Sequence, residues 1–254
     1  MSSSSRKPLV LGAGVAVAAL LLGLASYTAT GPEPSTGSAA AADVSAEPGA
    51  GTYPELEKLA RREARDPLAV GRADAPVVMV EYADFKCGFC GKFARDTEPA
   101  LVKKYVDEGT LRIEWRNFPI FGKDSEAAAR AAWAAGQQGR FWQFHAAAYA
   151  EGSKEKGFAK DRLVSLARDA GVKDLDRFGR DLDGEGARQA VKKDQDEAYG
   201  LGATSTPSFL VNGRPIAGAQ PMETFTEAIE AAKKAAGNGA GNGAGSAAGK
   251  SAEK

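Results

Sequence analysis

"VVMVEYADFKCGFCGKF", residues 77–93, carries the reading of this chain. It opens as an apolar, β-branched run, the pattern of a buried strand. It closes on Cys87 and Cys90, the only two cysteines among 254 residues. A helical pattern then follows from Gly88, so the spacing predicts strand, Cys-x-x-Cys, helix. Three uses of such a pair compete: a structural bridge, part of a metal site, or a redox pair. A bridge between Cys87 and Cys90 closes a very short loop and stabilises little, because loop-closure stabilisation grows with loop size. Structural zinc asks for four Cys or His ligands. This chain offers two cysteines and one histidine, His145, in the distant aromatic stretch "FWQFHAAAY". That histidine reads as a core or boundary residue.

The redox reading fits the local chemistry. Cys87 at a helix N-terminus faces unpaired backbone N–H groups and the positive end of the helix dipole, which stabilise a thiolate. Lys86 adds a positive charge if its side chain turns that way. Cys90, one turn on, is expected to be the more buried. Cys87 is then the nucleophile, and Cys90 resolves the mixed disulfide. Glu81 interrupts the apolar run six residues before Cys87. A carboxylate in a buried strand is costly without a partner or a task. With a raised pKa it can shuttle the proton of Cys90; alternatively it lies at an exposed edge or pairs with a base. In "ATSTPSFLV", Pro207 opens a strand, and the residues alone leave its peptide bond open between cis and trans.

Outward from this stretch, "LRIEWRNFP" alternates apolar Leu111, Ile113 and Trp115 with Arg112, Glu114 and Arg116, predicting a half-buried strand. Upstream, "YPELEKLARREARD" has helical spacing up to Pro67. Pro99 predicts a kink or break in the helix after the cysteines, which is expected to end at Gly109. Residues 123–201 show only helical patterns, with breaks near 136–139, 152–157, 171 and 184. Trp133, Phe141, Trp142, Phe144 and Tyr149 read as the core of this block. Ser208–Val211, Asn212-Gly213 and Pro215–Ala217 read as a hairpin, and "METFTEAIEAAKKAA" as a closing helix. The charge runs "RREARD" and "VKKDQDE" read as solvated helix faces.

The termini differ from this core. After a basic N-region, residues 1–8, the run from Leu9 to Ser26 has 18 residues without a charge. As a helix it would span ~27 Å, close to the ~30 Å hydrocarbon core of a bilayer. Residues 9–29 are therefore expected to be a transmembrane anchor or a signal segment, with the remainder outside the cytoplasm. Residues 30–52 are Gly, Pro, Ser, Ala and Thr with almost no large apolar side chain. They read as a flexible tether with a reach of about 25–30 Å. The folded part is expected over 53–236 and a disordered Gly/Ala-rich tail over 237–254. Thirty-three basic residues balance 33 acidic ones. That balance gives no basic stripe for a nucleic-acid partner.

Taken together, "GRADAPVVMVEYADFKCGFC", "LRIEWRNFPI", "FWQFHAAAY" and "GATSTPSFLVNG" resemble the DsbA-like branch of the thioredoxin superfamily, especially its membrane-anchored actinobacterial forms. The resemblance covers residues 66–236. It implies an α/β thioredoxin-like fold with an all-helical domain inserted at about 123–201. It implies a nucleophilic Cys87, a resolving Cys90, a buried Glu81, and a cis Pro207 whose neighbour Thr206 pairs with a bound substrate chain. No cofactor is implied beyond the Cys87–Cys90 disulfide. The implied partners are exported polypeptides with free cysteines and a membrane oxidase, acting on a monomer. One departure matters. Strongly oxidising relatives carry Pro-His between the cysteines, and here stand Gly88 and Phe89, closer to the pair of disulfide isomerases. Phe89 cannot donate to the thiolate as histidine does, which points to a less oxidising disulfide. A disulfide donor, a reductase or isomerase, and a tethered binding or chaperone module all remain open.

Overall fold

The computed structural model describes residues 51–244. The run Leu9–Ser26, most of the tether and the last ten residues lie outside them. Among the described residues no helix is long and apolar enough to cross a membrane.

A five-stranded mixed sheet runs in the order β1-β3-β2-β4-β5. Its centre is β2, Val77–Ala83, buried along its whole length. β2 pairs in parallel with β3, Leu111–Asn117, placing Glu81 opposite Trp115. On its other side it pairs antiparallel with β4, Ser208–Val211. β4 continues through the Asn212-Gly213 turn into β5, Arg214–Ala217. Both turn residues have positive φ, 41° and 78°, as the tight hairpin requires. Asn212 also stitches the turn to the start of β2. Its Oδ1 accepts from Val78 N at 2.7 Å and its Nδ2 donates to Pro76 O at 3.0 Å. A short strand that the sequence pattern did not reveal, β1, Ala69–Val70, lies antiparallel on β3.

The expected helix at 54–66 is only one turn, α1, Pro54–Glu57. The rest of that segment serves β3. Leu111, Ile113 and Trp115 alternate with Arg112, Glu114 and Arg116 as expected, yet both faces are buried. The half-buried reading fails because the polar face meets a covering layer of charge. Glu114 accepts from Arg112 Nε and Arg116 Nη2, each at 2.8 Å, and from the backbone N–H of Arg61 and Arg62. The inserted helices close the same face, where Arg116 reaches Glu197 at 3.2 Å and Arg61 reaches Asp194 at 2.8 Å. The runs "RREARD" and "VKKDQDE" thus supply the partners of a buried ion network, not only a solvated surface. Alternation specifies which residues share a face; it does not specify what covers that face.

After β2, α2 spans Gly88–Asp96 and α3 spans Glu98–Leu101. The break falls at Thr97, and Pro99 sits in the first turn of α3, where its missing N–H is harmless. A π-helical turn, Val102–Val106, follows, and Gly109 (φ 75°) ends the segment. Between β3 and β4 lie α4, Lys123–Gly136; α5, Phe141–Tyr149; α6, Lys160–Asp169; α7, Leu175–Asp183; and α8, Glu185–Gly200. Six buried alanines in α4 allow its neighbours to approach closely. The aromatic residues of this block do more than fill it. Phe144 and Tyr149 pack on Phe85 beside the cysteines, and Phe141 packs on Trp115 of β3, so they join the inserted helices to the sheet. The closing helix α9, Met222–Ala244, passes the expected end at 236. It lays Phe225 and Ile229 on the face carrying Val77, Met79 and Ile113.

Candidate active site

Cys87 is the N-cap of α2, with extended φ −72° and ψ 122°. Its placement depends on Asp84 at the end of β2. The Asp84 carbonyl accepts Cys87 N at 3.0 Å. Its carboxylate accepts Lys86 N at 2.7 Å, Ile120 N at 2.7 Å and Phe121 N at 3.1 Å. Asp84 therefore folds the active-site turn and ties it to the loop after β3. Sequence reasoning passed over it, although an Asp bonding the N–H two residues on is a known turn signal.

Both cysteines are free thiols in this structure. Cys87 is 5% exposed and Cys90 fully buried. A hydrogen bond from the Cys90 thiol, followed by contributions from the Thr206 side chain and the backbone N–H groups of Cys90 and Phe89, brings Cys87 down to about 6 against the opposing effect of burial. Burial first, then the Cys87 sulfur, pushes Cys90 well up. The two sulfurs, one turn apart, thus differ in both access and proton affinity.

Thr206 and Pro207 come from the far side of the inserted helices. The Thr206–Pro207 bond is cis, and the Cys87 thiol donates to the Thr206 carbonyl at 3.2 Å. The Thr206 hydroxyl is buried with no hydrogen-bond partner among the described residues. Glu81 is fully buried, and neither carboxyl oxygen has a hydrogen-bond partner among the described residues. It is neither at an exposed edge nor paired with a base. Burial, reinforced by the nearby Glu98 carboxyl, pushes it well above the usual carboxylate range.

Lys86 turns elsewhere. Its Nζ lies 3.4 Å from Asp124 and is not among the groups that lower Cys87. The ammonium at the turn belongs instead to Lys154, whose Nζ would lie 3.4 Å from a Cβ placed on Gly88. Gly88 is exposed, and Phe89 stands 67% exposed beside it. A cleft of about 220 Å³ opens at Cys87, lined by Phe85, Gly88, Arg95, Tyr149 and Lys154. Nothing in the local sequence announced Tyr149 or Lys154, because both arrive from the insertion. Among the described residues, no group of three or more His, Cys, Asp or Glu side chains is placed to hold a metal ion.

The sequence profile described as Thioredoxin matches residues 63–231. The chain belongs to the thioredoxin family. Within it, the chain is a DsbA-like thiol–disulfide oxidoreductase. It is 35% identical over 150 residues to the probable disulfide bond formation protein D of Bacillus cereus, covering 57% of this chain and 69% of that protein. The oxidised BdbD structure from Bacillus subtilis superposes with a TM-score of 0.62 at 27% identity, over 68% of this chain and 95% of that one. Wolbachia pipientis α-DsbA1 shares the fold, with a TM-score of 0.57 at 24% identity over 66% and 92%. A further relative is of another kind. The Na(+)/H(+) antiporter NhaA 3 of Salinispora tropica is 34% identical over 164 residues, which cover 64% of this chain but only 24% of that protein.

Proposed function

We propose that this thioredoxin-family chain introduces disulfides into exported polypeptides through Cys87 and Cys90. In the oxidised enzyme a substrate thiolate attacks Sγ of Cys87, and the bond to Cys90 breaks. Cys90 leaves as a thiolate and takes a proton from Glu81. A second substrate thiolate then attacks the substrate sulfur of the mixed disulfide and expels Cys87. Two electrons pass from the substrate dithiol to the enzyme, and a membrane oxidase removes them.

The observation that carries this direction is the difference between the two sulfurs. Cys87, held at about 6, is a good leaving group and a stable thiolate at neutral pH. Cys90 is buried and needs a supplied proton. Thr206 presents backbone groups against Cys87, where an extended substrate can pair, and Pro207 shapes that loop. The uncharged run Leu9–Ser26 after Arg6 and Lys7 supports an extracytoplasmic domain on a single-pass anchor, with cleavage as a signal segment as the alternative. The domain acts as a monomer with no cofactor beyond its own disulfide.

Phe89 favours a second reading, reduction or isomerisation by the same pair. It stands where a histidine would add charge to the thiolate. Equilibration of the full chain with glutathione decides between them. A potential above roughly −180 mV supports the donor; one near −250 mV moves the function to reductase. Should Cys87→Ala retain unfolded-chain binding while the wild type shows no thiol exchange, the protein is a tethered binding module instead.

A further inference from the structure

Glu81 is not the only buried carboxyl near the cysteines. Glu98, in the first turn of α3, is 6% exposed, and its Oε1 has no partner among the described residues. Its Oε2 lies 3.7 Å from Nδ1 of His145. His145 is 2% exposed, with Nε2 unpartnered. Trp115, in register with Glu81 on β3, meets His145 edge to face at 5.1 Å. Paired residues of adjacent strands point to the same side of a sheet. Glu81, Trp115, His145 and Glu98 therefore lie together in one buried region between β2, α3 and α5, near enough that the Glu98 carboxyl acts on Glu81. Tyr149 closes it 4.8 Å from His145, with a buried and unpartnered hydroxyl.

The titratable groups around this space are Glu81 from β2, Cys87 and Cys90 from α2, Glu98 from α3, and His145 and Tyr149 from α5. Asp84, at the end of β2, is already committed to three backbone N–H groups. Among the described residues no cation balances the carboxyls. Arg95 donates to the Tyr149 carbonyl at 2.7 Å and Lys86 pairs with Asp124. From β4, Phe209 is registered with Glu81 and adds no polar atom.

Once Glu81 gives its proton to Cys90, it is a buried anion without a hydrogen-bond donor, a costly state. Glu98 differs in one respect: an imidazole faces its carboxyl. We propose that Glu98, backed by His145, is the proton reserve for Glu81. This deepens the proposed function and rests on Glu81 as the proton source for Cys90. The step moves one proton at each link and no electron. Glu81 gives its proton to the Cys90 thiolate and receives the Glu98 proton. The products are the Cys90 thiol, the Glu81 acid and a Glu98 carboxylate facing His145 Nδ1. Reoxidation reverses the transfer. Burial raises both carboxyls, Glu98 to about 8 and Glu81 well above the usual carboxylate range. Burial also holds His145 down at about 3, so it meets Glu98 as a neutral ring. Glu98 is a positioning residue, since it acts on the sulfur only through Glu81.

The test uses the full chain and single-turnover reduction by a dithiol peptide across pH 5–9. Glu98→Gln is expected to slow Cys90 release about tenfold at neutral pH and to shift the pH profile. Glu98→Asp is expected to restore most of the rate, and Glu81→Gln/Glu98→Gln to be no slower than Glu81→Gln. If Glu81→Gln is slow and Glu98→Gln matches wild type across the pH range, the reserve is overturned while the Glu81 reading survives. Multiplying effects in the double variant also overturn it. If Glu81→Gln itself matches wild type, both readings fall. Carboxyl-carbon NMR of the wild-type reduced protein gives a check free of variants. Coupled two-step titration of Glu81 and Glu98 supports the pair, and two independent single-step curves overturn it.

Discussion

The thiol of Cys87 and the carbonyl of Thr206 lie 3.2 Å apart, although 119 positions separate them in the chain. The contact joins the N-cap of α2 to the loop just before β4. It brings the Thr206 hydroxyl to the sulfur, where it is one of the groups that lower Cys87. Thr206→Val keeps the shape and removes that hydroxyl. The Cys87 titration midpoint is expected to rise by about one unit, read from thiolate ultraviolet absorbance. An unmoved midpoint would show that the backbone donors carry the whole effect.

Cys90 contributes more. Its hydrogen bond is the largest cause of the low value at Cys87, so Cys90→Ala is expected to move the midpoint from about 6 toward 9.0. Alkylation rate against pH measures the shift.

The same lowering gives the reduced protein a pH-dependent stability. Cys87 has its folded value below its unfolded one, so the stabilisation is complete above pH 9.0 and is lost as pH falls through about 6. Cys90, raised above its ordinary value, stays protonated in both states below that range and adds nothing there. Urea midpoints of reduced and oxidised protein at pH 5 and pH 8 test this. The reduced form is expected to lose ground on acidification relative to the oxidised form.

Phe89 is exposed, so a histidine fits there without disturbing the core. Phe89→His is expected to lower Cys87 further and make the disulfide more oxidising, by about 30 mV for each unit of pKa. A potential that does not rise would separate the function from the residue between the cysteines.

Glu114 holds two buried arginines, and Glu114→Gln leaves Arg112 without its anion and Arg116 with Glu197 alone. The expected cost is about 3–5 kcal/mol, measured by urea unfolding at pH 7. Burial alone would raise Glu114, but the hydrogen bonds from Arg112 and Arg116, then Arg61 N, hold it at about 2. Its stabilisation is therefore present above pH 4.5 and lost as pH falls through 2. A pH-independent loss in the variant would contradict this assignment.

Local patterns in the chain determined the order of elements. The apolar run at 77–83, the N-cap at Cys87, the Pro99 break and the Asn212-Gly213 hairpin are each decided by neighbours a few residues away. Such features are legible because strand burial, helix capping and turn geometry act at short range. Tertiary structure decided the rest. Glu81 could have been an edge residue or an ion pair, and became a buried, unpartnered acid only because β3 and β4 flank β2. The charged face of β3 is dry because residues 59–63 and α8 close over it. Lys86 faced away from the sulfur because Asp124 begins α4 beside it, while Lys154 and Tyr149 reached the cysteines from an insertion with no local tie to them. Partners that meet across long loops leave no periodic trace, because their contact is set by packing and not by spacing along the chain.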